Sequence, residues 1–600
     1  MSKDIPSVLR VARRRLLDIA EYEMLTDFEW QSKMQRWSLH FRLNISDIDH
    51  PHIASTQDWY ALVSASYPSG DIIICPAMNN GISVTFPHQT FNAENKDVPW
   101  RQGVVCVNTS MNKWGRKELT DEPTDDEDKL AWHIQRTVDW LKAAAADKLV
   151  QTGDPFELPC LPPTRRNEVI VFNEGTDTLS KWKQITQISG MAELKPIENE
   201  YYVIERFGKE QAELNYQWGK GITDKRSLPV TAIWVRLQDL PITYPYQLPR
   251  TWGELIEIAS QQRIPLIQLL TEQLQKCKSN YPTFILLGFP VAANYGGEDH
   301  SLYWMALKMP ELPSAKGYRN RNYINDHQLK SLFHVGSPLK WCLTQNWHKD
   351  QISTRGKLSK SLAESNIVMI GAGAIGSTLS ELLIRLGADK ITIVDRDILD
   401  IGNLCRHVLS MADVRHGKAC RLAERLNNIS PHVTAEYRGK TLQDVLQYES
   451  SLLSGADVII DTTGDDQVIH LLSNTVDLIN KRFISLSVGL EAKRLYCFGG
   501  KVNTLDDFAT SFFAKHRSWL TKDKEQAASL TLPREGIGCW HPVFPARYDE
   551  ILTLLTSIVK DIEIFTSEDT GMRLIVAERL FDEMGNMVGI NINRTDSDGI

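Results

Sequence analysis

Asn366 to Asp397 read NIVMIGAGAIGSTLSELLIRLGADKITIVDRD, and no other stretch limits so tightly what this chain can fold into. Ile367 to Ile370 form an apolar run, the composition of a strand buried on both faces. Gly371, Gly373 and Gly376 follow with G-x-G-x-x-G spacing. The first two let the backbone turn tightly and approach a phosphate, and the third lets helix and strand pack closely. A helix from Ser377 would aim its N-terminal amides at an anion. Ile391 to Val394 make the next strand, and Asp395 at its end is placed to bind ribose hydroxyls. Strand, glycine turn, helix and spaced acid together predict a nucleotide-binding βαβ unit.

The residues downstream select the chemistry. Asn403 and Arg406 follow Asp395 in the pattern D-x-D-x₅-N-x-x-R; Lys418 comes next in RHGKAC, and Asp461 follows the apolar Val458–Ile460. Hydride transfer uses none of these groups. Adenylation of a carboxylate uses cations such as Arg406 and Lys418 to neutralise phosphate charge, and an acid such as Asp461 to hold magnesium. From about Ser361 to Asp466 the sequence resembles the ThiF/MoeB family and the adenylation domains of ubiquitin-activating enzymes, with five polar positions matching in order. The resemblance implies ATP with Mg2+, Asp395 on the ribose, Asn403, Arg406 and Lys418 on the phosphates, and Asp461 supporting the metal.

Length bounds the rest: 600 residues correspond to about three to five domains. The net charge of −8 supplies no global field for nucleic acid. No apolar run approaches a membrane span, and MSKDIPSVLRVARRRLL reads as a basic amphipathic helix rather than a signal peptide. The expectation is a soluble, cytoplasmic protein with neither nucleic-acid nor membrane partners. The nine cysteines form no C-x-x-C pair, so neither the structural zinc of many ThiF/MoeB relatives nor a disulfide framework is expected.

Two cysteines stand out by context. Before Cys106, Ile72–Ile74 and Ile82–Phe86 have the pattern of strands; after it, Leu130, Ile134, Val138 and Leu141 recur at helical spacing. This order of strands, cysteine loop and helix, with Trp114 at the eighth position after the cysteine and Gly153-Asp-Pro-Phe after the helix, resembles a ubiquitin-conjugating domain. It departs from that family in lacking His-Pro-Asn shortly before the cysteine. Phe86-Pro-His-Gln-Thr-Phe-Asn92 stands there instead, leaving Asn92 or Asn108 as substitutes for the oxyanion group. Cys106 is then a thioester-forming nucleophile or a core cysteine at a strand end, and the attached activating domain favours the first.

Cys539 lies in PREGIGCWHP, where glycines and prolines shape a loop and Arg534 and His541 favour a thiolate. It follows the adenylate-binding core, where activating enzymes place their catalytic cysteine. Cys405 and Cys420 read as packing residues by comparison. In the middle, Pro159–Arg166 reads as a linker. Glu168–Phe172, Tyr201–Glu205, Ala232–Leu237 and Thr283–Gly288 read as strands, and Trp252–Cys277 as helix split at Pro265.

The expected architecture is therefore α/β and multidomain: an N-terminal ubiquitin-conjugating-like α+β domain (1–160), a mixed α/β linker domain (161–340) and a C-terminal Rossmann-like ThiF adenylation domain (341–600). A conjugating-like domain ahead of an activating-like one resembles the bacterial fusion ligases of antiviral CBASS operons, which join the C-terminus of a cGAS-like nucleotidyltransferase to target molecules. That resemblance implies a homodimer and a protein substrate activated at its C-terminus, carried on Cys539, then on Cys106, and delivered to a target amine. Two further readings stay open: conjugation of a bacterial ubiquitin-like protein, and ThiF-type activation of a sulfur carrier. The chain's own end, Asp598-Gly-Ile600, offers no diglycine tail.

Overall fold

The computed structural model describes residues 4–109, 120–162, 168–198, 200–208, 214–277, 281–311, 332–527, 532, 544–569 and 571–595. Trp114, Arg534, Cys539 and His541 lie outside them. The chain divides into one compact unit of Met1–Tyr216 with Ser227–Asn346, and a second of Gln217–Arg226 with Trp347–Ile600.

The first unit opens with an antiparallel meander: β1 (Tyr22–Gln31), β2 (Arg36–Asn44), β3 (Thr56–Ser64) and β4 (Ile72–Pro76). Trp37, Leu39, Phe41 and Leu43 alternate along β2 and are all buried, the period of a sheet with one covered face. The cover is α1 (Ser7–Arg15) and α2 (Asp128–Ala145). Leu130, Ile134, Val138 and Leu141 of α2 all face this core, as their spacing predicts. Ile82–Phe86 is not a strand, contrary to its apolar pattern. Asn92 Nδ2 donates to the carbonyls of Ile82 and Val84, both at 2.9 Å, in place of a ladder partner.

The same unit continues into β5 (Val169–Phe172), α3 (Thr176–Trp182), β6 (Ser189–Pro196), β7 (Tyr201–Phe207), β8 (Leu214–Asn215), β9 (Val230–Arg236), β10 (Phe284–Ala292), β11 (Asp299–Lys308) and β12 (Trp341–Asn346). Their order is β5-β12-β11-β10-β9-β6-β7-β8, and an additional β5–β7 pairing closes seven of them into a ring. Helices α4 (Trp252–Gln261) and α5 (Leu266–Lys276) break around Pro265, which cannot donate within a helix.

Glu174, only 1% exposed, accepts hydrogen bonds from Trp182 Nε1 at 2.7 Å, Trp304 Nε1 at 2.9 Å, Tyr216 Oη at 2.5 Å and Thr178 Oγ1. Burial still pushes its carboxyl up to about 7 against those four donors. The unfolded chain ionises near the ordinary 4.5. Between those two values the unfolded state releases its proton first, so stability falls as pH rises, by about 3 kcal/mol in all. Denaturant unfolding followed by tryptophan fluorescence should show this unit weaker at pH 8 than at pH 5. Glu174→Gln should flatten that slope; an unchanged slope would remove Glu174 as its source.

The second unit carries β13 (Asn366–Ile370), α6 (Ala374–Arg385), β14 (Lys390–Val394), α7 (Lys418–Asn427), β15 (Thr434–Arg438), β16 (Val458–Asp461), α8 (Asp466–Ser473), β17 (Arg482–Val488) and β18 (Arg494–Lys501). Then come α9 (Leu505–Ala527), α10 (Tyr548–Ser557), α11 (Val559–Ser567), β19 (Arg573–Phe581) and β20 (Met587–Thr595). The sheet runs β15-β14-β13-β16-β17-β18-β19-β20, parallel through β17 and antiparallel beyond. Apolar clusters cover both faces, as continuous apolar strands require. Because β14 and β16 flank β13, the topological switch point lies between β13 and β16, where an open α/β sheet leaves a crevice at its carboxyl edge. Residues 217–226 return to this unit: Lys220 N–H donates to Val433 O at 2.9 Å and its ammonium pairs with Glu436 at 2.9 Å. No helix among the described residues is long and apolar enough to cross a membrane.

Candidate functional site

The glycine turn forms at the switch point. Gly371 has φ +93°, a left-handed conformation that favours glycine. A Cβ on Gly376 would stand 2.0 Å from Gly371 O and 2.5 Å from Thr462 Oγ1, so this glycine lets helix and strand close up. A Cβ on Gly373 would meet nothing within 4 Å; this glycine opens onto the site. Helix α6 starts at Ala374, three residues earlier than Ser377, and no side chain caps it. Its first amides remain donors for an anion.

A cavity of about 390 Å³ opens here, and Gly373, Asn403, Arg406 and Lys418 line it together. Asn403 and Arg406 lie on a 3₁₀ turn, Ile401–Arg406, and Lys418 opens α7. Asn403 Oδ1 accepts the amide of Asp400 at 3.2 Å. Arg406 Nη1 donates to Phe544 O at 2.5 Å. Lys418 Nζ lies 3.2 Å from Asp397 Oδ2. Two cations, an uncapped helix N-terminus and the hydroxyl of Ser487 suit a polyanion, so the donor set fits a nucleotide triphosphate.

Asp395 is not in the lining. Its carboxylate accepts the amides of Ala372 at 2.6 Å and Asp397 at 2.7 Å, bracing the glycine turn from beneath. Asp461 is also outside the lining, and it does not fit the role of a magnesium ligand as it stands. It is 1% exposed. Its Oδ1 accepts from Thr463 N at 3.0 Å and Thr463 Oγ1 at 2.7 Å, and its Oδ2 from Ser485 Oγ at 3.0 Å. Burial pushes its carboxyl upward, and the hydrogen bonds from Thr463 and Ser485 oppose that shift. What Asp461 shapes is the Thr462–Gly464 turn, which itself lines the cavity. Among the described residues no group of three or more His, Cys, Asp or Glu side chains is placed to hold a metal.

Sequence reasoning missed part of the wall. His407 lines it, with Nε2 2.7 Å from Ala372 O and Nδ1 accepting from Leu409 N at 3.1 Å. Burial pulls its pKa down, leaving a neutral imidazole. The run Thr462-Thr463-Gly464, directly after an apolar strand, carried a usable signal. Phe544 and Ile551, which also line the cavity, carried none.

Cys106 is exposed at the surface of the first unit. Its neighbours Val105 and Val107 point into the core, so extended backbone alternation turns the thiol outward. Asn92 is excluded as an oxyanion donor: it is 2% exposed, both its Nδ2 bonds go to Ile82 and Val84, and its Oδ1 takes Arg101 Nε at 3.0 Å. Asn108 is exposed, two residues beyond the cysteine. Cys405 is exposed rather than packed, with Sγ 3.3 Å from Gly402 O, and Cys420 is half-buried. Cys75 is buried, its thiol pushed up to about 12, and is inert by comparison.

Residues 147–347 match the family model of the Cap2 central linker domain, and residues 347–516 that of the ThiF family. A probable molybdopterin-synthase adenylyltransferase of Porphyra purpurea is 30% identical over 157 residues, 26% of this chain and 38% of its own. A solved structure of E. coli MccB is 16% identical and covers 39% of this chain and 64% of its own, with a TM-score of 0.28. An ATP-dependent ubiquitin transferase-like protein Cap2 of Enterobacter hormaechei subsp. hoffmannii is 32% identical over 548 residues, 88% of this chain and 89% of its own. By that likeness along nearly its full length, the chain belongs to the family of ATP-dependent ubiquitin transferase-like Cap2 proteins.

Proposed function

We propose that residues 341–600 adenylate the C-terminal carboxylate of a protein substrate, and that the acyl group passes to Cys539, then to Cys106 in the 1–160 domain, then to a target amine. The observation that carries this reading is the switch-point cavity, where Gly373, Asn403, Arg406 and Lys418 share one wall. A carboxylate oxygen attacks the α-phosphorus of ATP and pyrophosphate leaves. Arg406, Lys418 and the amides of α6 stabilise the charge that develops on the phosphate oxygens. The Cys539 thiolate attacks the acyl carbon and AMP departs. Exchange onto the Cys106 thiolate keeps the acyl group activated, and attack by the amine releases that thiolate with loss of the amine proton. Asp395, whose carboxylate also accepts the amides of Ala372 and Asp397, is the acid we assign to the ribose hydroxyls. Magnesium accompanies the triphosphate as its counter-ion. The substrate we assign is the C-terminus of a cGAS-like nucleotidyltransferase in antiphage defence, with the enzyme acting in the cytoplasm as a homodimer. A bacterial ubiquitin-like protein is the alternative substrate.

The relay has a direct test. Cys539→Ala should leave ATP–pyrophosphate exchange intact and remove every thioester, including the one on Cys106. Mass spectrometry of adducts after incubation with ATP and a nucleotidyltransferase or ubiquitin-like substrate reads both sites. A Cys539→Ala chain that still charges Cys106 overturns the order of transfer.

A further inference from the structure

The backbone beneath Cys106 is held by residues that the acyl-transfer steps do not use. Cys106 N–H donates to His88 O at 2.8 Å, and Thr90 N–H donates to Val104 O at 2.9 Å. Gln89 pairs with Val105 as an antiparallel bridge. Residues 88–90 and 104–106 thus form a short ribbon carrying the thiol. His88 sits at φ +56°, left-handed backbone that a non-glycine residue keeps only when its surroundings hold it there.

What holds it belongs to the segment after α2. His88 Nδ1 and Glu157 Oε2 form an ion pair at 2.6 Å. The pair and a backbone hydrogen bond to Leu149 raise the pKa of the imidazole, against the opposing effect of burial. Glu157 is itself anchored. Its carbonyl accepts from Tyr295 Oη at 3.1 Å and from Tyr246 Oη, and these two hydroxyls lie 2.7 Å apart. Gly153 N–H donates to Tyr295 O at 2.9 Å, and Phe156 N–H to Ala293 O at 3.1 Å. A second stitch runs beside the first: Tyr246 N–H donates to Thr85 O at 3.1 Å, and Thr85 Oγ1 meets Gln247 Oε1 at 3.1 Å. Tyr246, Gln247 and Tyr295 all lie within the 147–347 region that matches the linker-domain family.

We propose that His88 and Glu157 are positioning residues of the acyl-transfer site, through which the middle domain sets the backbone of Cys106. The inference rests on the reading of Cys106 as a thioester carrier. The pair is poorly suited to a purely stabilising role, since His88 and Glu157 keep 42% and 35% of their side chains exposed and such surface pairs add little to folding. Its geometric effect is larger, because small displacements of a reacting group slow transfer steeply.

The test uses the full chain and a short peptide bearing a C-terminal mercaptoethanesulfonate thioester, which loads Cys106 by thioester exchange without ATP. Loading is quantified at Cys106 by peptide mapping, and discharge is followed against increasing free lysine. Glu157→Ala should slow discharge at saturating lysine about tenfold and leave the half-saturating lysine concentration unchanged. Glu157→Gln, which keeps an acceptor for His88, should restore most of the rate. Tyr295→Phe, which removes one hydroxyl from Glu157 O, should slow discharge in the same direction and replaces Glu157→Ala if that variant does not fold. Discharge at the parent rate from Glu157→Ala and Tyr295→Phe, with Cys106 loaded normally, overturns the inference and leaves the reading of Cys106 standing. Absence of any acyl group on Cys106 in the parent chain overturns that reading, and the inference with it.

Discussion

Cys106→Ala is expected to give no amide-linked product while still exchanging ATP with pyrophosphate and still forming a thioester at Cys539. The thiol is exposed, so its removal leaves no core cavity and should change stability by no more than about 0.5 kcal/mol. The loss would therefore be chemical. Cys106→Ser should trap an oxyester, because an alkoxide leaves far less readily than a thiolate. Gels run with and without reducing agent separate thioester, oxyester and amide. Amide product at the parental level from Cys106→Ala would mean that the acyl group leaves directly from Cys539, and would make residues 1–160 a docking module.

Lys418→Ala is expected to lower ATP–pyrophosphate exchange by about 10²- to 10³-fold, the usual cost of removing one fixed charge donor from a developing oxyanion. Lys418 keeps 12% of its side chain exposed and pairs with Asp397, which is 57% exposed. Its loss leaves Asp397 hydrated rather than buried and unpaired, so the fold should survive. Lys418→Arg should retain part of the rate, since it keeps the charge on a different fork geometry. Exchange at the parental rate from a folded Lys418→Ala chain would remove this residue from the phosphate site. Such a result would leave Arg406 and the helix N-terminus to carry the charge.

The βαβ unit was legible because each of its parts is local. An apolar run, three glycines at fixed spacing and an acid ending the next strand specify a turn whose geometry depends on short-range sterics alone. The helical face of α2 and the break at Pro265 were readable for the same reason. Ile82–Phe86 misled, because its apolar pattern says strand while the carbonyls that would form the ladder go to the side chain of Asn92, ten residues from Ile82 and eight from Val84.

Local pattern also named Asn403, Arg406 and Lys418, and folding brought them to one cavity because the 3₁₀ turn and the start of α7 both lie in the connection that leaves β14 at the carboxyl edge of a parallel sheet. It did not separate an acid that lines a cavity from one whose oxygens are engaged by the surrounding turns. Asp395 and Asp461 both end strands, and only the packed structure shows that their oxygens are taken by the amides and hydroxyls of neighbouring turns. The partner of His88 and the hydroxyls that anchor that partner belong to the same class. Glu157, Tyr246 and Tyr295 lie between 69 and 207 residues from His88 in sequence, so no spacing rule could find them. Local order follows from short-range sterics and hydrophobic period, whereas the environment of a charge depends on which distant groups the fold brings within about 3 Å of it.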